Sequence, residues 1–224
     1  MIAQLIDKLD AFEIVRDKVA FILAQESASQ QTMAANAGKN PDLWRLRVFT
    51  ERVNPWEFMR TDDGSAPADR APVVCVWWDT SSMDARASQT IDRQQTDVTI
   101  NIDVYGVGVT EMLDGGAGHV PGDEMAAREA QRGARLVRNI LMSDSYVYLG
   151  FDRSLGIVGQ RVISTMQAFQ PEFAGQNALR LSAVRLTLQA KVSETGPQTP
   201  AVVIDEISVI VRDESGEILV AALF

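Results

Sequence analysis

The chain has 224 residues, 46% of them hydrophobic and 23% charged, with 30 acidic against 21 basic side chains and a formal net charge of −9. A single domain of this length buries roughly 70% of its unfolded surface and needs no disulfide or metal to be stable. The acidity argues against sequence-independent grip on nucleic acid, the lone cysteine excludes an internal disulfide, and no run approaches the roughly 18 apolar residues of a membrane span.

The first segment, "MIAQLIDKLDAF", places Ile2, Leu5, Ile6 and Leu9 on one helical face, and the next, "EIVRDKVAFILAQESASQQTMAA", continues with Ile14, Val15, Val19, Ile22 and Leu23. Residues 1–40 therefore read as an N-terminal helical region. Charged residues interrupt its apolar positions, so it reads as a domain helix and not as a signal peptide. Gly38 and Pro41 oppose its continuation. "LWRLRVFTERV" reads as a first strand, with Leu46 and Val48 on one side.

Residues 54–72, "NPWEFMRTDDGSAPADRAP", hold three prolines and a "DDG" turn signal, which marks an extended loop. Trp56 in this loop is a candidate interface anchor, with Arg60, Asp62 and Asp63 as further interface candidates beside it. The strand "VVCVWWD" follows. Its Cys75, among valines and tryptophans, reads as a buried, inert thiol. Trp77 and Trp78 are consecutive and must point to opposite faces, so one of them lies on a second face or under a helix. In "RQQTDVTINIDVYGVGV", Val98, Ile100, Ile102 and Val104 alternate with Thr99, Asn101, Asp103 and Tyr105. One face belongs on a core; the other is polar and ends in Tyr105. The two strands, one long connection apart, are expected to pair antiparallel.

"DGGAGHVPGDE" reads as a loop carrying His119. The clearest helix spans Asp123 to about Met142, with Pro121, Asp123 and Glu124 suited to its first turn. Ala126, Ala130, Val137, Ile140 and Leu141 cluster on one side, and Arg128, Arg132, Arg135 and Arg138 form a stripe on the other. Gly133 lies on the apolar side, where it lets the helix sit close on a sheet. "IVGQRVISTMQAFQPEF" and "NALRLSAVRLTLQAKV" read as two strands joined around "QPEFAGQ". Leu179 and Leu181 keep one phase while Val184, Leu186 and Leu188 keep the other, which a bulge near Ser182 and Ala183 would explain. Residues 200–224 end in a candidate strand hairpin with Gly216 in its turn. The fold class is α+β: one domain over 1–224, a mostly antiparallel sheet, a long amphipathic helix packed on it, and N-terminal helices.

Catalytic motifs are scarce. His119 is the only histidine, and no GxSxG elbow accompanies it. One His and one Cys fall short of the usual zinc patterns. A carboxylate site for Mg²⁺ has two candidate sets, Asp62, Asp63 and Asp69, or Asp114 with Asp123 and Glu124. The glycine stretches "GVGVT", "DGGAGH" and "GIVGQR" match neither a phosphate loop nor a dinucleotide fingerprint. No cofactor is expected. In a chain of this acidity the arginine stripe is either a solvated face or a surface for acidic groups of a neighbouring subunit.

The layout, a helix, two strands with the second of "D-V-x-I-x-V-Y" type, the helix "AAREAQRGARLVRNILMSD", "YLG", and a strand pair ending in "RLSAVRLTLQAKV", resembles the tail-terminator (tail-completion, head–tail joining) proteins of long-tailed bacteriophages over roughly Leu46 to Val192. The resemblance implies a non-enzymatic virion protein in the tail or neck, assembled in the cytoplasm of the host bacterium. Its subunits form a hexameric ring that caps the tail tube and meets the head or neck connector. The implied partners are other copies of itself, the tail-tube protein, the connector and, through the additions at the N-terminus, the loop and the C-terminal hairpin, a contractile sheath. DNA would pass the lumen without specific binding, and Asp103, Glu111 and Asp114 are candidates to line that lumen with repelling charge. Tyr105 and the arginine stripe are candidates for contacts between subunits. A neck (head-completion) connector, a tail-tube subunit and a sheath-associated protein are the nearest alternatives, and a carboxylate-metal enzyme the distant one.

Overall fold

A computed structural model describes residues 9–51, 69–83, 93–109, 111–112, 119–120, 122–151, 159–169, 171, 180–195, 208–212 and 218–223. The chain divides into two compact units, Leu9–Gly196 and a smaller one formed by Met1–Lys8 with Pro197–Phe224. The larger unit is α+β, with two helices and a five-stranded mixed sheet. The C-terminal strands form a ladder of their own. β8 (Ser208–Arg212) and β9 (Ile218–Leu223) pair antiparallel in a separate two-stranded sheet, the expected hairpin.

Helix α1 spans Ala11–Asn36. Its start is set by a capping box. Asp10 accepts from the first turn, and the Asp10 N–H donates to Glu13 Oε2 at 2.9 Å. The helix thus begins inside the region read as continuous helical sequence, and Met1–Lys8 lie outside the described residues. Val15, Val19, Ile22 and Leu23 are buried as their spacing requires, and Ile14 is half-buried. A short 3₁₀ turn, Pro41–Trp44, carries the chain to β1 (Arg47–Thr50). Buried Ser27 holds this passage, donating to Trp44 O at 2.9 Å and accepting from Leu46 N–H at 3.0 Å.

The sheet order is β1-β2-β3-β7-β6, where β2 is Val73–Met83, β3 Arg93–Gly108, β6 Val162–Phe169 and β7 Arg180–Thr195. β2–β3, β3–β7 and β7–β6 are antiparallel, as the alternating patterns required, whereas β1 lies parallel to β2. A parallel neighbour needs a long crossover connection, which the segment between Thr50 and Val73 is long enough to supply. His119 does not sit in an open loop. β4 (Glu111–Met112) and β5 (His119–Val120) form a short antiparallel ribbon that pairs it with Met112.

β7 holds an unbroken register with β3 from Arg180 to Thr195, so the expected bulge near Ser182 and Ala183 is absent. The two apolar phases are instead the two faces of one regular strand. Val184, Leu186, Leu188, Ala190 and Val192 join the main core under the helices, while Leu181 and Ala183 join a second cluster with Val73, Cys75, Tyr105 and Val107. Both faces of the sheet are therefore buried at this end. The register slips lie elsewhere, between Trp78 and Thr80 and between Ile163 and Thr165.

Helix α2 (Gly122–Leu141) lies on β3 along a ridge of small residues, Gly122, Ala126 and Ala130, four positions apart. These meet Gly106 and Gly108, which share the core face of β3 with Ile102 and Val104. A Cβ on Gly106 would run into Ala126 O and Ala130 N, and one on Gly108 into Gly122 O and Ala126 N. Gly133 has the close packing its position implied, since a Cβ there would lie 2.7 Å from Val104 Cγ1 and 2.8 Å from Pro72 Cβ. Its neighbours are side chains, which yield more easily than a helix backbone. Gly106→Ala should therefore cost about 3 kcal/mol or more in urea unfolding, and Gly133→Ala about 1–2 kcal/mol. Equal losses at the two positions would contradict a backbone-limited contact at Gly106.

Candidate interaction surfaces

The polar face of β3 resolves into a built cluster. Asn101, Asp103, Tyr105 and Val107 share that face with Trp77 of β2, Arg185 of β7 and Phe169 of β6, because Cys75, Asp103 and Arg185 are successive cross-strand partners. Arg185 grips Asp103 with two bonds, Nε to Oδ1 at 2.7 Å and Nη2 to Oδ2 at 2.8 Å. Trp77 Nε1–H donates to the same Oδ2 at 3.0 Å, and Tyr105 O–H donates to it at 3.4 Å. The guanidinium lies 5.0 Å from the ring centres of both Trp77 and Phe169. Paired aromatic faces and a bidentate carboxylate are the arrangement a planar cation prefers.

The electrostatics follow. The hydrogen bond to Asp103 raises the pKa of Arg185 against the opposing effect of burial. Burial first, and then the Asp103 charge, push the Tyr105 phenol well above its ordinary range. Asp103 is 3% exposed and Tyr105 4%. This corrects two expectations. Asp103 presents no charge to a lumen, because Arg185 neutralises it inside the subunit, and Tyr105 is an internal residue with its ring against Phe169. The cluster is a fastener for four strands.

The tryptophans divide as their alternation demanded. Trp77 is on the cluster face, and Trp78 turns to the helix side to stack on Phe12 at 4.3 Å. Cys75 is fully buried, as expected.

The arginine stripe on α2 splits. Arg132 is held by Glu129 at 2.5 Å and by the carbonyl of Leu43, so it fastens α2 to the 3₁₀ turn. It is not a free interface residue. Arg128 pairs with Glu124 one turn back, at 2.5 Å. Arg135 and Arg138 are exposed and make no ion pair with a described residue. Beside Arg132 opens a cleft of about 640 Å³ whose wall includes Asp42, Arg45, Asp69 and Glu129. Its charges answer one another, with Arg45 on Asp69 at 2.8 Å. Asp123 and Glu124 are exposed in the first turn of α2. Among the described residues no three ligating side chains come together as a metal site. Trp56, Arg60, Asp62, Asp63 and Asp114 lie outside the described residues, as does the side chain of Glu111.

A second groove, of about 410 Å³, runs between α1 and the end of α2. Tyr146 O–H donates to Glu26 Oε1 across it. Arg161, 5% exposed, closes the end of α2, with Nη2 donating to Ser143 O at 2.9 Å. Burial lowers its pKa. Arg185, Phe169 and Arg161 were missed in the sequence. For Arg185 a signal existed: β3 carries one acid between Ile102 and Val104, and β7 one base between Val184 and Leu186.

No described helix is long and apolar enough to cross a membrane. No family model matches the chain, and no curated protein matches it.

Two outcomes follow. Asp103→Asn keeps the shape but takes the counter-charge away from Arg185, which remains partly solvated, so about 2 kcal/mol of unfolding free energy should be lost. Arg185→Met in the same background should cost little more, since the pair is already broken. The Tyr146 phenol is pushed up to about 12, by its bond to Glu26 and then by burial. An unfolded tyrosine ionises near pH 10, so above that pH the unfolded chain loses protons first and stability falls until about pH 12. Urea titrations at pH 9 and 11 should show this loss, and Tyr146→Phe should make it smaller.

Proposed function

We propose that the protein is a structural virion subunit of a long-tailed bacteriophage, a tail terminator. In this reading its ring caps the finished tail tube and joins it to the head or neck connector, while DNA passes without specific binding. The observation that carries the reading is the order of elements. An N-terminal helical region, β2, the long strand β3, the long amphipathic helix α2 and the antiparallel pair β6–β7 follow in the order on which the resemblance to that family rests. Arg135 and Arg138 support contact between subunits, because they are exposed cations on a chain of net charge −9.

A ring that ends tube growth occupies the surface where the next tube ring would add, and offers the head a different face. A phage lacking this gene should therefore yield filled heads beside unattached tails, some of abnormal length, in electron micrographs. Added purified protein should restore joining. Normal-length tails with heads that leak DNA would replace this reading with a neck connector. A large rise in melting temperature on adding Mg²⁺ or Mn²⁺ would favour the metal enzyme.

The arginines provide a finer test. Arg135→Glu with Arg138→Glu should leave the melting temperature within a degree or two, since exposed helix positions contribute little to folding. The same pair should stop rings forming on tail tubes, because like charges would meet at the boundary. Unimpaired rings would reduce both arginines to ordinary surface charge.

A further inference from the structure

We infer that Met142 is an oxidative modification site whose sulfoxide is a better partner for buried Arg161 than the thioether it replaces. Arg161 stitches the end of α2 to the start of β6. Its backbone N–H donates to Val147 O at 3.2 Å, its Nη2 to Ser143 O at 2.9 Å, and its Nη1 to Met142 Sδ at 3.7 Å. The residue is 5% exposed, and its Nε is buried without a hydrogen-bond partner among the described residues.

This cation is under-satisfied. A thioether sulfur is a weak acceptor, whereas a guanidinium gains most from a strong one. Met142 sits at the boundary between the two environments. It is 48% exposed, so small oxidants reach it, yet its sulfur lies beside a guanidinium that solvent barely touches.

The oxidant is a peroxide. The Sδ lone pair bonds to one oxygen of hydrogen peroxide, the O–O bond breaks, and the other oxygen leaves as water with both hydrogens. The sulfur is oxidised by two electrons and the peroxide reduced by two. The oxygen added is a strong, partly negative acceptor on a flexible, unbranched side chain, and rotation about the Cγ–Sδ bond turns it toward Nη1. Oxidising a core methionine loosens packing because it buries a polar group. Here the side chain is half outside, so that penalty is small and the new bond to Arg161 dominates. Oxidation therefore tightens the junction between α2 and β6. The inference goes beyond the terminator reading and does not depend on it.

The test uses the full chain. Wild type and Met142→Leu are both treated with hydrogen peroxide, because Met33, Met83 and Met166 are as exposed and oxidise alongside. Peptide mass spectrometry should find Met142 as its sulfoxide. The melting temperature of the wild type should then rise by about 2–6 °C relative to that of Met142→Leu, beyond any gap between the untreated proteins. Without peroxide, Met142→Gln, whose amide oxygen stands in for the sulfoxide, should melt above Met142→Leu by a similar margin. In an Arg161→Met background that margin should vanish. A Met142 that resists oxidation, an equal change in both treated proteins, or a Gln–Leu margin that is absent or survives Arg161→Met would each overturn the proposal. The peroxide comparison decides the matter even if Arg161→Met fails to fold.

Discussion

Helix α2 can approach the sheet this closely only where the strand carries no side chain and the helix none larger than a methyl group. Gly106 and Gly108 on β3 face Gly122, Ala126 and Ala130 on the helix, and the backbones meet with no room for even a methyl group. This contact fixes the height of α2, and the height of α2 fixes much else. It brings Val137 and Leu141 down onto the main core, and it lets Arg132 reach the carbonyl of Leu43. It also aims the helix end so that buried Arg161 can close it. α1, held through Ser27 to the turn that Arg132 also grips, takes its position from the same assembly.

The opposite face of the sheet is organised by a different force. There the Asp103–Arg185 pair sits between Trp77 and Phe169 and spans four strands with one carboxylate and one guanidinium. Apolar burial does not distinguish one register from its neighbours two residues away, whereas a bidentate ion pair does. The helix face supplies most of the burial, and the cluster face supplies the alignment.

How much of this was legible depended on whether the signal was periodic. The strands of β2, β3 and β7 and the span of α2 follow from alternation and from small and apolar residues at helical spacing, and these agree with the structure. Cys75 and the split of Trp77 from Trp78 follow from the same period of two. Non-periodic features were not legible. The shift of apolar phase along β7 looked like a bulge because a half-buried strand was assumed, when the sheet is buried on both faces at that end. Asp103 and Tyr105 looked like surface because polarity alone does not reveal a partner on a strand 82 residues away. The arginine stripe looked uniform because helical spacing says nothing of Leu43 or Glu129 as captors of Arg132. The parallel placement of β1 depends on a crossover that no local pattern encodes.

That separation of 82 residues between Asp103 and Arg185 also sets an order of events at the ribosome. With synthesis at roughly 5–20 residues per second, β7 is made on the order of 4–16 s after β3. β6 and β7 are neighbours in sequence and close in microseconds once both exist. The central ladder must close a much longer loop. During those seconds β3 has β2, made before it, along one edge and nothing along the other. α2 is made in the interval and has the glycines of β3 to lie against. The small-residue contact therefore acts as an early clamp: it covers the apolar face of β3 until the partner that completes the sheet has been synthesised.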